Sequence, residues 1–477
     1  AYNIGIGCGA GRNVTSGNCN IFMGHNAGCG LTAACHNVFL GNYAGKVIGT
    51  GCCNVFIGCS AGNGTGTAAN NNPINNVAIG MGAMEDLTTG DDNIGIGRHA
   101  GKGFAASHCN IAMGSYAGFY HTSGDQNIFI GRSAGSDNGT GAGNVFLGYQ
   151  SGSGSGTAAD NDASYNVAIG YEAGDSLTDG DNNVILGQNA GKYMTTATAN
   201  VVIGNYAGQC HVSGDENIFM GHCAGRCMCD GNQNVAIGQK ALQGSSTVSN
   251  NTGQRNTAIG FNAMQAASGA TDSVVIGQCA GYSITTGSHY VAIGCEALFT
   301  EDTAAEGAVA IGRRALFNQN GSWGHNVAIG HCSGYAITDA TENTFLGYDS
   351  AKGVTTGCQN VAIGAKTLNA TTTGGGNVVI GGDAGRYNTG SDSVIIGQAA
   401  GDASGSGHSN VMVGKSAGGA VTDGHSNVLL GFQAGDNITT GDYNVVIGRS
   451  VDPASATGDK QFVIGCGSSW WICGDSS

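Results

Sequence analysis

The chain has 477 residues, of which 88 are glycine and only two are proline, and its formal net charge is −15. The glycine content is far below the one residue in three that a collagen triple helix requires. Because no stripe of Lys and Arg is present to neutralise phosphates, we expect no nucleic-acid partner. No apolar run in the sequence reaches the roughly 18 residues of a membrane-spanning helix, so we expect no membrane insertion.

A short apolar segment that ends in glycine recurs from the first residues of the chain onward. It reads NVAIG at Asn76–Gly80 and occurs 27 times, and over most of the chain its terminal glycine, the anchor glycine, returns every 17 residues. Such a period predicts one small unit stacked into a solenoid. We therefore predict an all-β protein, a parallel β-solenoid (β-roll) of about 27 coils. It should be continuous over residues 1–465 and followed by a C-terminal exit segment at 466–477.

Each coil should contain one short β-strand, because Val and Ile alternate through the apolar segment. Flanking positions such as Val77 and Ile79 face one way and the middle position faces the other, and both faces are apolar. A strand that is apolar on both faces must be covered on both, and the lumen of a coil covers only one. We predict that the middle position is the uncovered one and packs in a parallel homotrimer. The alternative is a monomer with a capped apolar face. The interface candidates are Phe22, Phe39, Phe56, Phe129, Phe146 and Phe219.

Two further columns of the repeat have a physical reading. A position that is always glycine indicates a positive φ angle or a site without room for a side chain. Asparagine precedes the strand in most coils, for example at Asn20, Asn37 and Asn54. Because stacked strands lie about 4.8 Å apart, these amides should form a hydrogen-bonded ladder.

A longer period lies above the 17-residue one, over roughly residues 1–260. The anchor spacing widens to 22 between Gly58 and Gly80, and the same widening recurs 90 residues later and again after another 90. The inserted segments are polar, and insertions at one place in a repeat map to one face. They predict three protruding loops. The loops are either contact or glycan-facing elements or neutral expansions within a duplicated block.

The 18 cysteines indicate an oxidising compartment. Cys35 and Cys52 occupy the same column of adjacent coils, as do Cys210 and Cys227, and coil stacking brings such pairs within disulfide range. These four residues are our disulfide candidates. The rival hypothesis is a zinc site built from Cys227, Cys229 and His222, but no paired CxxC motif supports it.

We find no candidate for catalysis. The segment GIGRHAG at Gly95–Gly101 resembles a dinucleotide-binding fingerprint, but it is an ordinary coil without a following helix. Asp residues after a corner glycine, such as Asp91 and Asp125, are compatible with calcium binding, and a solvated turn is the favoured reading. We therefore predict no enzyme activity, no catalytic residue, no cofactor and no metal site.

The NVAIGxxA coil resembles the head domains of trimeric autotransporter adhesins, whose short coils share a VAIGxxA core. The longer coil with its TTG corner, together with the ending FVIGCGSSWWICGDSS at Phe462–Ser477, is similar to glycine-rich phage tail fibres. In such fibres a comparable exit precedes an intramolecular chaperone that trimerises the chain. The resemblance implies three chains wound into parallel β-rolls, with an attachment function outside the cell.

The expected function is therefore that of an extracellular structural fibre, a rigid trimeric rod displayed on a virion or cell surface. The alternative is a glycan-binding bacterial surface adhesin or a matrix filament subunit. The expected partners are further copies of the chain, with end-to-end filaments as one arrangement, and a host-surface or matrix glycan.

Overall fold

The structure is a computed structural model that describes residues 2–157, 161–245, 251–301, 306–321, 324–403 and 405–475. The chain is an all-β parallel β-solenoid of about 26 turns with a 17-residue period, so the predicted fold class is confirmed. In the described part of the chain the helical content is one 3₁₀ turn, Ala68–Asn70. The solenoid divides into two compact units: residues 1–239 with 246–252, and residues 240–245 with 253–477.

The first unit holds strands β1 to β14, each three residues long. Neighbouring strands pair in parallel without a register shift, as in Ile128 opposite Val145. The strands are β1 (Ile4–Ile6), β2 (Ile21–Met23), β3 (Val38–Leu40), β4 (Val55–Ile57), β5 (Val77–Ile79), β6 (Ile94–Ile96), β7 (Ile111–Met113), β8 (Ile128–Ile130), β9 (Val145–Leu147), β10 (Val167–Ile169), β11 (Val184–Leu186), β12 (Val201–Ile203), β13 (Ile218–Met220) and β14 (Val235–Ile237).

The second unit holds strands β15 to β28, which are parallel through β27. β28 runs antiparallel to β27, so the predicted exit segment turns back on the last coil. The strands are β15 (Thr257–Ile259), β16 (Val274–Ile276), β17 (Val291–Ile293), β18 (Val309–Ile311), β19 (Val327–Ile329), β20 (Thr344–Leu346), β21 (Val361–Ile363), β22 (Val378–Ile380), β23 (Val394–Ile396), β24 (Val411–Val413), β25 (Val428–Leu430), β26 (Val445–Arg449), β27 (Phe462–Cys466) and β28 (Ser469–Gly474).

The second residue of each strand from β2 to β27 is buried inside its own coil, which corrects the predicted interface. Phe39 and Phe56 stack with ring centroids 4.7 Å apart and are fully buried within the single chain. All six phenylalanines that we assigned to a trimer interface are at most 2% exposed: Phe22, Phe39, Phe56, Phe129, Phe146 and Phe219. A Cβ placed on Gly45 would collide with the Phe39 ring, so this ring fills the interior of its own coil and the uncovered face is the flanking one.

The anchor glycine satisfies both conditions that the sequence suggested. Gly97 has φ +135°, and a Cβ atom placed on it would lie 2.6 Å from the carbonyl oxygen of Gly114 in the next coil. An alanine in this column would therefore be strained by its own backbone and would collide with the neighbouring coil. This close backbone approach explains why the column contains only glycine.

The asparagine column forms the predicted ladder inside the solenoid. Asn37 donates from its side-chain amide and from its backbone N–H to the Oδ1 atom of Asn20, both at 3.0 Å. Asn54 repeats the pattern on Asn37, at 3.1 Å and 2.9 Å. All three side chains are fully buried. The ladder therefore satisfies buried polar groups that would otherwise destabilise each coil.

Candidate functional site

The outward strand face is the apolar surface that each unit leaves uncovered. We define it as the first and third residues of each strand from β1 to β27, which flank the second residue. In β8 the middle residue Phe129 is fully buried, whereas Ile130 is 39% exposed. Most flanking residues are half-buried in the single chain. Those with the largest exposure are Ile4, Ile6, Ile21, Met23, Met113, Ile130, Ile169, Ile218, Met220 and Ile237 in the first unit, and Val274, Leu346 and Phe462 in the second.

The chemistry of this face is uniform. In strands β1 to β27 its residues are Val, Ile, Leu and Met, with Thr257, Thr344 and Phe462 as the departures, and none of them is charged. Within each unit these residues form a row along successive paired strands, and large exposed apolar patches are typical of interaction surfaces. The residues of this row are the flanking positions, which our sequence interpretation had assigned to the lumen.

The first predicted loop is shorter than its sequence suggested. Asn63 accepts a hydrogen bond from Val47 N at 2.8 Å, and Asn71 accepts one from Gly49 N at 2.9 Å, so both residues belong to the coil. Only residues 65–70 leave it, and all six are exposed or half-buried. They fold back toward preceding coils. The carbonyl oxygen of Ala68 lies so close to Gly49 that a Cβ on this glycine would collide with it. This segment is an excursion of six residues, held close to the coil surface.

The second and third predicted loops lie partly outside the described residues, at 158–160 and 246–250. In the second loop the coil resumes at Asn161, whose side chain donates to the carbonyl oxygen of Asp137 at 2.7 Å. Asn71 makes the equivalent bond to Val47 in the first loop, at 2.8 Å. The return to the coil is thus built in the same way in both.

The structure brings both pairs of disulfide candidates together. The Sγ atom of Cys52 accepts a hydrogen bond from Cys35 N at 3.2 Å, and the Cys210 and Cys227 thiols are hydrogen-bonded to each other. All four thiols are free in the structure. Disulfide formation therefore stays a prediction.

The Cys210 thiol has an altered acidity. Its hydrogen bond from Cys227 lowers the pKa of Cys210 to about 7, and the same contact raises the pKa of Cys227. Cys229 lies beside the pair and donates from its Sγ atom to the carbonyl oxygen of Cys210 at 3.2 Å. His222 does not complete a metal site with Cys227 and Cys229, since among the described residues the one convergent group of three metal-ligating side chains lies elsewhere.

The Asp column has a structural role. Asp91 Oδ1 accepts the backbone N–H of Ile74 at 2.7 Å, and Asp125 Oδ1 accepts that of His108 at 2.7 Å. Each carboxylate thus satisfies a donor in the preceding coil. This geometry agrees with the turn that we favoured over calcium binding.

Two buried histidines occupy equivalent positions seven residues after an anchor glycine. His121 contacts the carbonyl oxygens of Asn138 and Gly124, at 3.0 Å and 2.7 Å. His211 makes the same pair of contacts in its own coil. Burial lowers the pKa of both rings, and this effect outweighs the opposing influence of the carbonyls. They are therefore neutral core residues at physiological pH.

The second unit contains a ladder of four stacked aromatic rings. Tyr282, Phe299, Phe317 and Tyr335 stack face to face with successive centroids 5.1 Å apart. Neighbouring rings cover the faces between them, so only the outer faces of Tyr282 and Tyr335 lack an aromatic partner within the ladder. The ladder stabilises the stack of coils.

Comparison with known proteins finds no matching family model, no matching curated protein and no matching solved structure. In the described part of the chain, no helix has the length and apolar character needed to cross a membrane.

Proposed function

We propose that the protein is the shaft of an extracellular structural fibre and that its outward strand face packs against two further copies of the same chain in a parallel homotrimer. The observation that carries this proposal is the uncharged, half-exposed face formed by the flanking residues of successive strands. The proposal is independent of any catalytic group.

A second copy of the chain is the partner that fits this face best. A complementary partner must present apolar residues at the same strand-to-strand spacing over many consecutive coils. The chain itself provides that spacing, because its strands stack in register without a shift. Packing flanking rows such as Val184 and Val201 against the same rows of a parallel copy removes apolar area from water at every coil, and each square ångström contributes roughly 25 cal/mol.

The trimeric number and the surface display are supported by the resemblance of the VAIG coil to adhesin heads and of the exit segment to tail fibres. The exit segment adds a second exposed apolar surface, since Trp470, Trp471 and Ile472 in β28 are all exposed. In the proposed fibre these side chains pack around the axis at the end of the shaft. Attachment then falls to the polar excursions of the long coils or to an element beyond this chain.

The alternative is an adhesin or matrix filament subunit that binds glycans through the shaft itself. The polar excursion at residues 65–70 is the feature that favours it, because it places hydroxyl and amide groups in solvent. The aromatic ladder adds little to this alternative, since most of its ring faces are covered by neighbouring rings.

The oligomeric state tests the proposal directly. Sedimentation velocity on the purified chain should give a particle of three times the 47.4 kDa chain mass that does not dissociate at micromolar concentration. Electron microscopy of the same sample should show uniform rods, and antibodies against the chain should label surface filaments of the virions or cells that produce it. A stable monomer would contradict the assembly, and labelling confined to the cell interior would contradict the display function.

A further inference from the structure

A group of metal-ligating side chains follows β19 and β20 in the second unit. An anchor glycine follows each of these strands. His331 and Cys332 come directly after the first glycine, and Asp349 is the second residue after the other. The parallel register aligns the two corners, and Asp349 N donates to the carbonyl oxygen of His331 at 2.9 Å. Cys332 and Asp349 thus occupy the same column in adjacent coils.

The three side chains converge on one point. His331 Nδ1 lies 3.9 Å from Asp349 Oδ1, and Cys332 Sγ lies 3.8 Å from His331 Nε2. One ligand atom from each residue falls within 4.8 Å of the other two. A tetrahedral metal with bonds of about 2.0–2.3 Å separates its ligand atoms by roughly 3.3–3.8 Å. Small side-chain rotations therefore convert this group into a coordination shell.

An independent observation indicates that the group lacks a ligand. The Asp349 side chain is only 9% exposed and points into the cluster. Its Oδ1 atom and His331 Nδ1 are both buried without a hydrogen-bond partner. Lys352 Nζ lies 3.4 Å from that oxygen as an ion pair, and its side chain is 44% exposed, so it can move into solvent. Lys352 thus gives this buried oxygen a charge contact without a hydrogen bond, and a bound metal ion would satisfy the oxygen more fully.

We propose that His331, Cys332 and Asp349 bind one Zn²⁺ ion, with water in the fourth position. Thiolate, imidazole and carboxylate together match the ligand preference of zinc, whereas magnesium and calcium prefer sites made of oxygen atoms alone. The ion links two adjacent coils and neutralises the buried carboxylate. A Cys–His–Asp nucleophile is a poorer explanation, because Cys332 is buried, its burial raises the pKa of the thiol, and the sulfur–nitrogen distance is long for a hydrogen bond.

The chain contains a matched control for this site. His222 and Cys223 occupy the same two positions after β13, with Cys223 Sγ 3.7 Å from His222 Nε2. In the sequence, however, the position that corresponds to Asp349 is Lys240 in the following repeat. This second pair has the imidazole and the thiol but lacks the carboxylate.

The experiment uses Co²⁺ as a spectroscopic probe for zinc on the full chain, purified with a chelator and a reductant. We expect one Co²⁺ per chain, with thiolate charge-transfer absorption in the near ultraviolet and tetrahedral d–d bands, and displacement by Zn²⁺. Cys332→Ser should abolish the charge-transfer band, Asp349→Asn should weaken binding at least about tenfold, and Cys223→Ser should change neither.

We expect the Cys332→Ser chain to fold, because serine occupies the equivalent position in other coils, at Ser60, Ser133 and Ser416. Lys352→Gln provides a further readout: it should tighten binding, since it removes the cation that competes for Asp349. Absence of Co²⁺ and Zn²⁺ binding by the wild-type chain at micromolar concentration would overturn the proposal. A charge-transfer band that survives Cys332→Ser, or that is lost with Cys223→Ser, would overturn it as well.

Discussion

The side-chain oxygen of Asn110 accepts two hydrogen bonds from Asn127, one from the backbone N–H at 2.8 Å and one from the side-chain amide at 3.0 Å. Asn127 in turn accepts the same two bonds from Asn144, at 2.9 Å and 3.0 Å. Each asparagine therefore bonds to the asparagines of both neighbouring coils and accepts the backbone N–H that precedes the next strand. All three side chains are fully buried. Removing one of them therefore leaves buried polar groups of the neighbouring coil without a partner and lowers the stability of the fold.

Replacing one rung should destabilise the coil in proportion to the donors left unsatisfied. Asn127→Ala leaves the buried N–H of Asn144 without an acceptor, and we expect a loss of about 2–3 kcal/mol, measured by urea unfolding and by local hydrogen exchange. Asn127→Ser should cost less, because Ser273 and Ser393, which occupy the same column, already accept the backbone N–H of the following coil. Equal losses for the two variants would contradict this role for the side-chain oxygen.

The two faces of a strand should respond oppositely to a charge. The combined variant Ile96→Glu, Met113→Glu and Ile130→Glu places three carboxylates on the outward strand face. It should keep the circular dichroism of the wild type but dissociate the proposed trimer, because a charge is strongly disfavoured in a dry interface. Sedimentation velocity measures the effect, and a trimer that persists with all three substitutions would refute the assigned interface.

Phe129→Asp is the inward counterpart. Phe129 is fully buried in its own coil, so we expect a loss of at least about 3–5 kcal/mol from the missing ring alone, whatever the oligomeric state. A Phe129→Asp chain that remains folded as a monomer would instead support the interface that the sequence first suggested.

The two buried histidines should make the protein sensitive to acid. Burial lowers the pKa of His121 and His211 in the folded chain below the ordinary value of 6.5. Below about pH 6.5 the unfolded chain therefore binds more protons than the folded chain. The free energy of unfolding should keep its highest value above pH 6.5 and decrease as the pH falls below it. We expect this pH dependence to weaken in a chain with His121→Leu and His211→Met.

The substitutions suit the column, since Leu87 and Met194 occupy the same position in other coils. His408→Gln is the control, because His408 is exposed. Thermal unfolding between pH 5 and pH 8 makes the comparison. An unchanged acid limb in the double variant would show that other groups cause the loss of stability.

The cysteine pairs should cross-link in an oxidising medium. Because its pKa is lowered to about 7, Cys210 is partly thiolate at neutral pH and can attack an oxidised partner. We expect the Cys210–Cys227 and Cys35–Cys52 disulfides after mild oxidation at pH 7.5, each stabilising the chain by about 3 kcal/mol. Peptide mapping without reductant detects them.

Cys358 is the internal control for this reaction. It lies in the same column as Cys35, but its neighbours in that column are Thr341 and Gly375. It should therefore stay unpaired within the chain. Free thiols at Cys35, Cys52, Cys210 and Cys227 after oxidation would disprove the predicted pairs.

The sequence predicted the architecture because a strict period determines the strand register, and it predicted the asparagine ladder because stacking aligns identical residues. It misjudged the two strand faces because both are apolar. The size of the side chains distinguishes the two faces, because the middle position varies from Phe56 to Gly95. A Cβ on Gly95 would meet Met84 Cγ at 3.0 Å, so a large residue elsewhere in the lumen compensates for a small one in the strand. The flanking positions are more uniform in size, since nearly all of them are Val, Ile, Leu or Met.

The group formed by His331, Cys332 and Asp349 was beyond a motif search. Its ligands are separated by one residue and by 17, and neither spacing belongs to a recognised metal motif. They meet only because the coil stacks the second residue after one anchor glycine on its equivalent in the next coil. Aligning the repeats in columns and searching for ligand types in adjacent rows would have found them.

The excursion of the first long coil should be removable without loss of the fold. Deleting Gly66–Asn70 restores a coil of 17 residues and places Thr65 where Thr371 is accommodated elsewhere, fully buried. We expect near wild-type thermal unfolding, because the deleted residues are exposed or half-buried and the coil hydrogen bonds of Asn63 and Asn71 remain. Deleting the five residues Asn71–Asn75 instead should unfold the coil, since these residues pair with their neighbours. If the excursion binds the attachment partner, deleting Gly66–Asn70 should abolish binding to cells that the full chain binds. If the folded deletion variant still binds these cells, recognition lies elsewhere and the shaft is a spacer.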